Sequence, residues 1–302
     1  MADPNIFEFF AALQHYPFLQ RALLAGVVVA AVAAVLGVFV VLRNMSMIGD
    51  GLAHSAFGGV GFSLFAAGYA IFLTPLQGAL LFAVSGGLII SLLVERRLVG
   101  GDTALGIVFS LGLGLGVVFI SVAGKGLGVD IFSFLFGNIL TVSVDDLGLI
   151  VVMAAAIGVV LAVFYQRYTA IAFDPESAQV LGIPVSALNT LLNVLTAITV
   201  VIAMKVVGVL LVSALMIVPP ATALQIGRRL PTVSVLAVLL AMLAVFVGLL
   251  CSYVFDVATG GAVALVSLGV FLAVSMGRWL RPRNEGHAHA PLAPPVSKAF
   301  QP

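Results

Sequence analysis

The sequence predicts an all-α integral membrane protein, a polytopic helical bundle with eight or nine transmembrane helices. Three observations predict it. Of 302 residues, 62% are hydrophobic and only 8% charged, whereas a soluble domain carries about a quarter charged residues to solvate its surface. The mean hydropathy is +1.26, and apolar runs close to the roughly 20 residues that a bilayer core demands recur along the chain. Period-2 alternation, the mark of an outer-membrane barrel, is absent. Backbone groups in hydrocarbon must be satisfied internally, so helices remain. The 32 glycines fit as well, because small residues let membrane helices approach closely.

Residues 1–18 read as an interfacial lead-in. Asp3 and Glu8 lie in it, and it lacks the basic start of a cleavable signal peptide. The membrane portion follows over 19–282, with expected spans at 19–42, 48–70, 72–94, 104–124, 146–165, 188–206, 207–226, 232–254 and 260–280. The segment 131–142 is apolar but short for a crossing, which suggests a re-entrant or interfacial helix. Residues 283–302 read as a disordered cytoplasmic tail, rich in Pro and Gly, where His287 and His289 either do nothing, the favoured reading, or catch metal. The single cysteine, Cys251, reads as a small core residue, with no disulfide framework and no cysteine-based metal cluster.

Basic residues are retained on the cytoplasmic side of a membrane. Placing Arg43, Arg96, Arg97, Arg167, Arg228, Arg229, Arg278, Arg281 and Arg283 inside leaves Arg21, Lys125 and Lys205 facing out. The N-terminus is then outside and the C-terminus inside. Asp130, Asp145, Asp146 and Asp256 face outward. The longest polar connection, about 166–187, is cytoplasmic. It carries a helix start: Asp174 as N-cap, Pro175 at the first helical position and Glu176 in the first turn. Gly182 and Pro184 should end that helix, which is either a plain connector or an element inserted into a cytoplasmic partner.

The stretch LRNMSMIGDGLAHSAFGGVGF, residues 42–62, carries the chemistry. Asp50 and His54 stand four apart, so on a helix they share a face with Cβ atoms about 5–6 Å apart. A carboxylate oxygen and an imidazole nitrogen both bind divalent transition metals. An acid near a membrane centre costs on the order of 2.5–3.5 kcal/mol on insertion scales, which makes an accidental one disfavoured. The competing reading is an N-cap at Gly49–Asp50 near the surface, with His54 donating to a carbonyl. Two ligands do not close a metal site, so others must come from other helices, water or a second protomer. Such a half-built site suits transport, where an ion must leave as readily as it enters.

Gly58 and Gly59 follow, either as packing glycines or beside a narrow pathway. Pro219 and Pro220 fall inside an apolar run and should break or kink that helix. Gly137 and Asn138, in IFSFLFGNIL, suggest an exposed turn near the outer mouth. No G-x-x-x-x-G-K-[ST] phosphate loop occurs, so the chain is not expected to hydrolyse ATP. No Ser/His/Asp or H-E-x-x-H pattern occurs either.

The segment MSMIGDGLAHSAFGGV resembles the characteristic stretch of the membrane permease subunits of bacterial zinc and manganese ABC importers. GGDTALGIVFS, IFSFLFGNILTVSVDDL, FDPESAQVLGIPV, VVGVLLVSALMIVPPATALQI and CSYVFDVATGGAVAL follow in matching order, so the resemblance runs from about Gln14 to Arg281. It implies a multi-pass inner-membrane homodimer, fed by an extracytoplasmic metal-binding protein and driven by two cytoplasmic ATP-binding subunits, with lipid around it and no nucleic acid partner. ATP would bind those partner subunits, and the metal would be cargo. The family's metal-contacting aspartate and histidine fall on Asp50 and His54. Its ATPase-contacting loop falls on Phe173, Asp174, Pro175, Glu176, Gly182 and Pro184. The motif wording leans to zinc, with manganese or iron as the alternative. Two rivals compete: a secondary transporter working without ATP, for which only Lys205 offers a second ionisable group, and an intramembrane metalloprotease, which lacks a further facing ligand.

Overall fold

A computed structural model describes residues 6–70, 72–123, 143–209 and 212–280. Among these are eleven helices and no strand. They are α1 (Ile6–His15), α2 (Pro17–Leu42), α3 (Ile48–Ala67), α4 (Pro75–Glu95), α5 (Gly101–Ala123), α6 (Val144–Phe173), α7 (Pro175–Val180), α8 (Val185–Val207), α9 (Val212–Ile226), α10 (Leu230–Phe255) and α11 (Thr259–Leu280). The segment 131–142, with Gly137 and Asn138, lies outside the described residues, as does the tail with His287 and His289.

Seven of these helices are long and apolar enough to cross a membrane: α2, α4, α5, α6, α8, α10 and α11. The two other expected spans match α3 and α9, and each departs from the norm for a physical reason. In α3, fifteen of the twenty residues are buried inside the bundle. A helix wrapped by other helices does not need a lipid-compatible surface, so it tolerates glycine, serine, aspartate and histidine. Helix α9 has only 15 residues, roughly 22 Å at 1.5 Å per residue, which is short of a bilayer core of about 30 Å. The chain before it is non-helical at Gly208, where φ is 91°, and both Gly208 and Val209 are buried. Irregular backbone at membrane depth is tolerated where protein covers it.

Pro219 and Pro220 were expected to break the run, yet helix α9 continues through both. The interruption falls at Gly208 instead. Pro220 removes the N–H that would bond the Met216 carbonyl, and that carbonyl is turned against the backbone of Gly37 in α2. Because α2 offers a glycine there, the carbonyl packs without a clash and the helix needs no break.

Ends of helices are tied in pairs at two opposite faces of the bundle. Ser143 caps α6 by a capping box with Asp146, and Asp146 also pairs with Lys205 near the end of α8. At the opposite face Thr190 Oγ1 donates to Glu95 at 3.0 Å, and Tyr168 Oη donates to the Leu188 carbonyl at 3.2 Å. Arg278 donates to the Gln225 carbonyl. The lead-in is a helix in its own right: Phe9 of α1 is fully buried, edge-on to Tyr253 of α10 at 5.5 Å between ring centroids.

Candidate metal pathway and coupling helix

Helix α3 sits among α4, α5, α8 and α9, and glycine decides how closely. Gly58 faces the Gly112 carbonyl of α5, to which an added Cβ would approach 2.7 Å. Gly59 faces the backbone of Gly78 in α4, with its carbonyl in the place of a Cβ. Both glycines therefore bring backbone against backbone. Gly61 meets Gly116 in the same way, so α3 and α5 run parallel in contact over several turns.

Asp50 is in the first turn of α3, not at mid-helix. That helix start is nevertheless enclosed. Ile48 is 1% exposed, and Gly49 lies against Ser213 of α9, whose hydroxyl would be 3.0 Å from an added Cβ. An aspartate at this position faces the positive end of the helix dipole, an interaction of about 0.3–1 kcal/mol that offsets part of its burial. His54 follows one turn later on the same face, and both side chains are half-buried. The His54 ring stands edge-on to Phe109 of α5, with centroids 4.3 Å apart and planes at 66°. Its Nδ1 is buried and has no hydrogen-bond partner among the described residues. Orphaned nitrogen and nearby carboxylate form a donor set that suits a divalent transition metal. Among the described residues no group of three or more His, Cys, Asp or Glu side chains could hold a metal, so within one chain the pair stands without a third ligand of those types. Phe109 was not singled out by sequence, because one phenylalanine among 21 carries no signal.

The polar connection begins later than the residue pattern suggested. Helix α6 runs on to Phe173, 30 residues or about 45 Å, so it extends past a bilayer core. Helix α7 then starts as expected. The Asp174 carboxylate accepts from the backbone N–H of Glu176 at 3.1 Å and of Ser177 at 3.0 Å, and Pro175 opens the helix. Gly182, at φ 78°, turns the chain, and Pro184 caps α8. Phe173, Val180 and Leu181 are 70%, 88% and 78% exposed; sequence reasoning named the first and missed the other two.

The Ser177 hydroxyl and backbone amides hold the Asp174 carboxyl below its ordinary value of 3.8. A carboxylate depressed in the folded state lends its cap above the unfolded value and loses it as pH falls through the lowered one. The cap is therefore complete at neutral pH and fails only in strong acid. Asp174→Ala should fray α7 at every pH, while Asp174→Asn should keep the cap; amide exchange at residues 176–181 measures both.

Seven candidate spans, two further helices packed among them and a short capped helix between two spans fit a class that the family comparison defines: the membrane permease of an ABC transport system. The chain belongs to the ABC 3 transport family, whose model matches residues 15–278. It is a multi-pass inner-membrane protein. Manganese transport system membrane protein MntC of Listeria monocytogenes is 35% identical over 263 residues, covering 87% of this chain and 91% of that one. Manganese import system permease protein ScaB of Streptococcus gordonii is 36% identical over 265 residues, covering 88% and 93%. The solved structure of PsaBC from Streptococcus pneumoniae in complex with Fab superposes with a TM-score of 0.79 at 34% identity, covering 89% of this chain and 95% of that one.

Proposed function

We propose that the chain is the permease subunit of an ATP-driven manganese importer. The observation that carries this reading is the Asp50–His54 pair, one turn apart on α3, the helix most enclosed by protein. Manganese ranks above zinc because the relatives that match most of the chain are named for manganese, against motif wording alone for zinc. Two donors, one hard oxygen and one imidazole nitrogen, hold an ion weakly enough to release it.

The protein works as a homodimer, so the ligands absent from one chain come from the second copy, from water or from the incoming cargo's own shell. ATP is bound and hydrolysed by two cytoplasmic partner subunits. An extracytoplasmic binding protein delivers the metal. Phe173, Asp174, Pro175, Glu176, Gly182 and Pro184 form the element that meets the ATPase: Asp174 fixes α7, Gly182 and Pro184 fix its exit, and Phe173 offers an exposed apolar contact. Gly58 and Gly59 keep α3 close to its neighbours beside the pathway. Pro219 and Pro220 border the same region on α9. Asn138 belongs to the outer mouth.

The test is uptake of radiolabelled manganese into proteoliposomes holding the permease, its ATPase and its binding protein. Manganese should accumulate only with ATP and binding protein present, and zinc should be delivered more slowly. Faster zinc delivery refutes the choice of metal. Accumulation without ATP refutes the ATP-driven reading and favours a secondary transporter.

A further inference from the structure

We propose that a polar seam between α4 and α8, centred on Ser91 and Asn193, transmits the motion of α7 to the metal-binding helix α3. This rests on the reading of α7 as the ATPase-contacting element and of Asp50 and His54 as the ion ligands.

The seam begins where α7 hands over to α8. The link is short and internally bonded: Gly182 N–H to the Gln179 carbonyl at 3.0 Å, and Ile183 N–H to the Ala178 carbonyl at 3.1 Å. With Pro184 at the start of α8, any displacement of α7 moves the lower end of α8. Most contacts between membrane helices are apolar and can slide, because a shifted apolar contact meets another apolar surface. A buried interhelical hydrogen bond slides less readily, since a displaced donor must reach another acceptor within the protein.

Two hydrogen bonds join α8 to α4, one exposed and one buried. At the exposed end Thr190 donates to Glu95 at 3.0 Å. One turn deeper Asn193 Nδ2 donates to Ser91 Oγ at 2.9 Å. Asn193 is 3% exposed and Ser91 5%. The Asn193 Oδ1 is buried and accepts no hydrogen bond among the described residues. A leucine of similar size would pack there without that cost, so the amide supplies register rather than stability.

The opposite face of α4 is fastened to α3. Ser55 Oγ donates to the Phe82 carbonyl at 2.7 Å, and Gly59 and Gly78 meet backbone to backbone. Gly86 lies against Ser55, and Ser91 is five residues further along α4, about 7.5 Å inward. The seam is thus level with the first turn of α3, where Asp50 sits. Motion of α8 drags α4, and α4 carries α3.

The experiment uses the reconstituted complex with its ATPase and binding protein, and reads manganese delivered per ATP hydrolysed. In Ser91→Ala and Asn193→Leu, ATP hydrolysis should continue near the wild-type rate while metal per ATP falls by about fivefold, within the range seen for residues along a coupled network. The double variant should be no worse than either single, because each breaks the same bond. Thr190→Val should show a smaller loss, and Thr190→Ser should keep the wild-type ratio. An unchanged ratio in the assembled variants overturns the proposal, as does a parallel fall of hydrolysis and uptake, or losses that add in the double variant. If Asn193→Leu does not assemble, Ser91→Ala decides alone. The underlying reading fails separately: Phe173→Ala should release the ATPase on co-purification, and a complex that stays intact removes α7 from the scheme whatever the seam does.

Discussion

Alanine in place of Asp50 or of His54 is expected to abolish manganese accumulation while the permease remains in the membrane and bound to its ATPase. With two protein donors in one chain, losing either leaves a single ligand. The expected deficit is on the order of 100-fold or more, since removing even an outer-shell partner of a metal ligand costs 10–100-fold. Asp50→Asn separates charge from size: it keeps the oxygen and loses the charge that balances the cation. It should fall closer to alanine than to wild type. His54→Ala also vacates the space beside Phe109, so its folding is checked by thermal unfolding in detergent. Normal uptake in both alanine variants would remove the pair from the pathway.

Gly59→Ala is expected to cause the largest loss of stability among single-methyl changes in α3. The added Cβ would collide with the carbonyl of Gly78 and come within 2.9 Å of the Ala79 Cα. These are backbone atoms, so no rotamer change relieves the clash. Overpacking of this kind costs about 1–3 kcal/mol, and more when helices must separate. Gly158→Ala is the internal comparison, because nothing lies within 4 Å of its added methyl. There the lower conformational entropy of alanine should stabilise by about 0.5–1 kcal/mol. Unfolding midpoints that move equally for the two would show that α3 and α4 are not in backbone contact.

Much of the fold was legible in the residue pattern, for reasons specific to membranes. The requirement for about 20 apolar residues located nine helices, and the Asp174–Pro175–Glu176 start located α7, because capping chemistry is local. The Asp50–His54 pair was legible as well, since residues four apart share a helix face whatever surrounds them. What escaped depends on partners distant in sequence. The burial of α3 is set by α5 and α4, so the enclosure of its first-turn aspartate could not be read from its own segment. The unbroken course of α9 depends on Gly37, some 180 residues earlier in the chain. Asn193 was not singled out by sequence, and its partner Ser91 could be found only by folding α4 against α8.

Consecutive prolines have a mechanical consequence for α9. Neither Pro219 nor Pro220 has an amide hydrogen to give, so the carbonyls of Leu215 and Met216 are left without the rungs that stiffen an ordinary helix turn. Bending there breaks no rung, because none exists to break. The half of α9 beyond the pair, from Ala221 to Ile226, is tied to α11 through Gln225, which accepts from Ser275 at 3.0 Å and from Arg278. That half can therefore tilt with α11 as one lever, while the half bearing Ser213 stays seated against the start of α3.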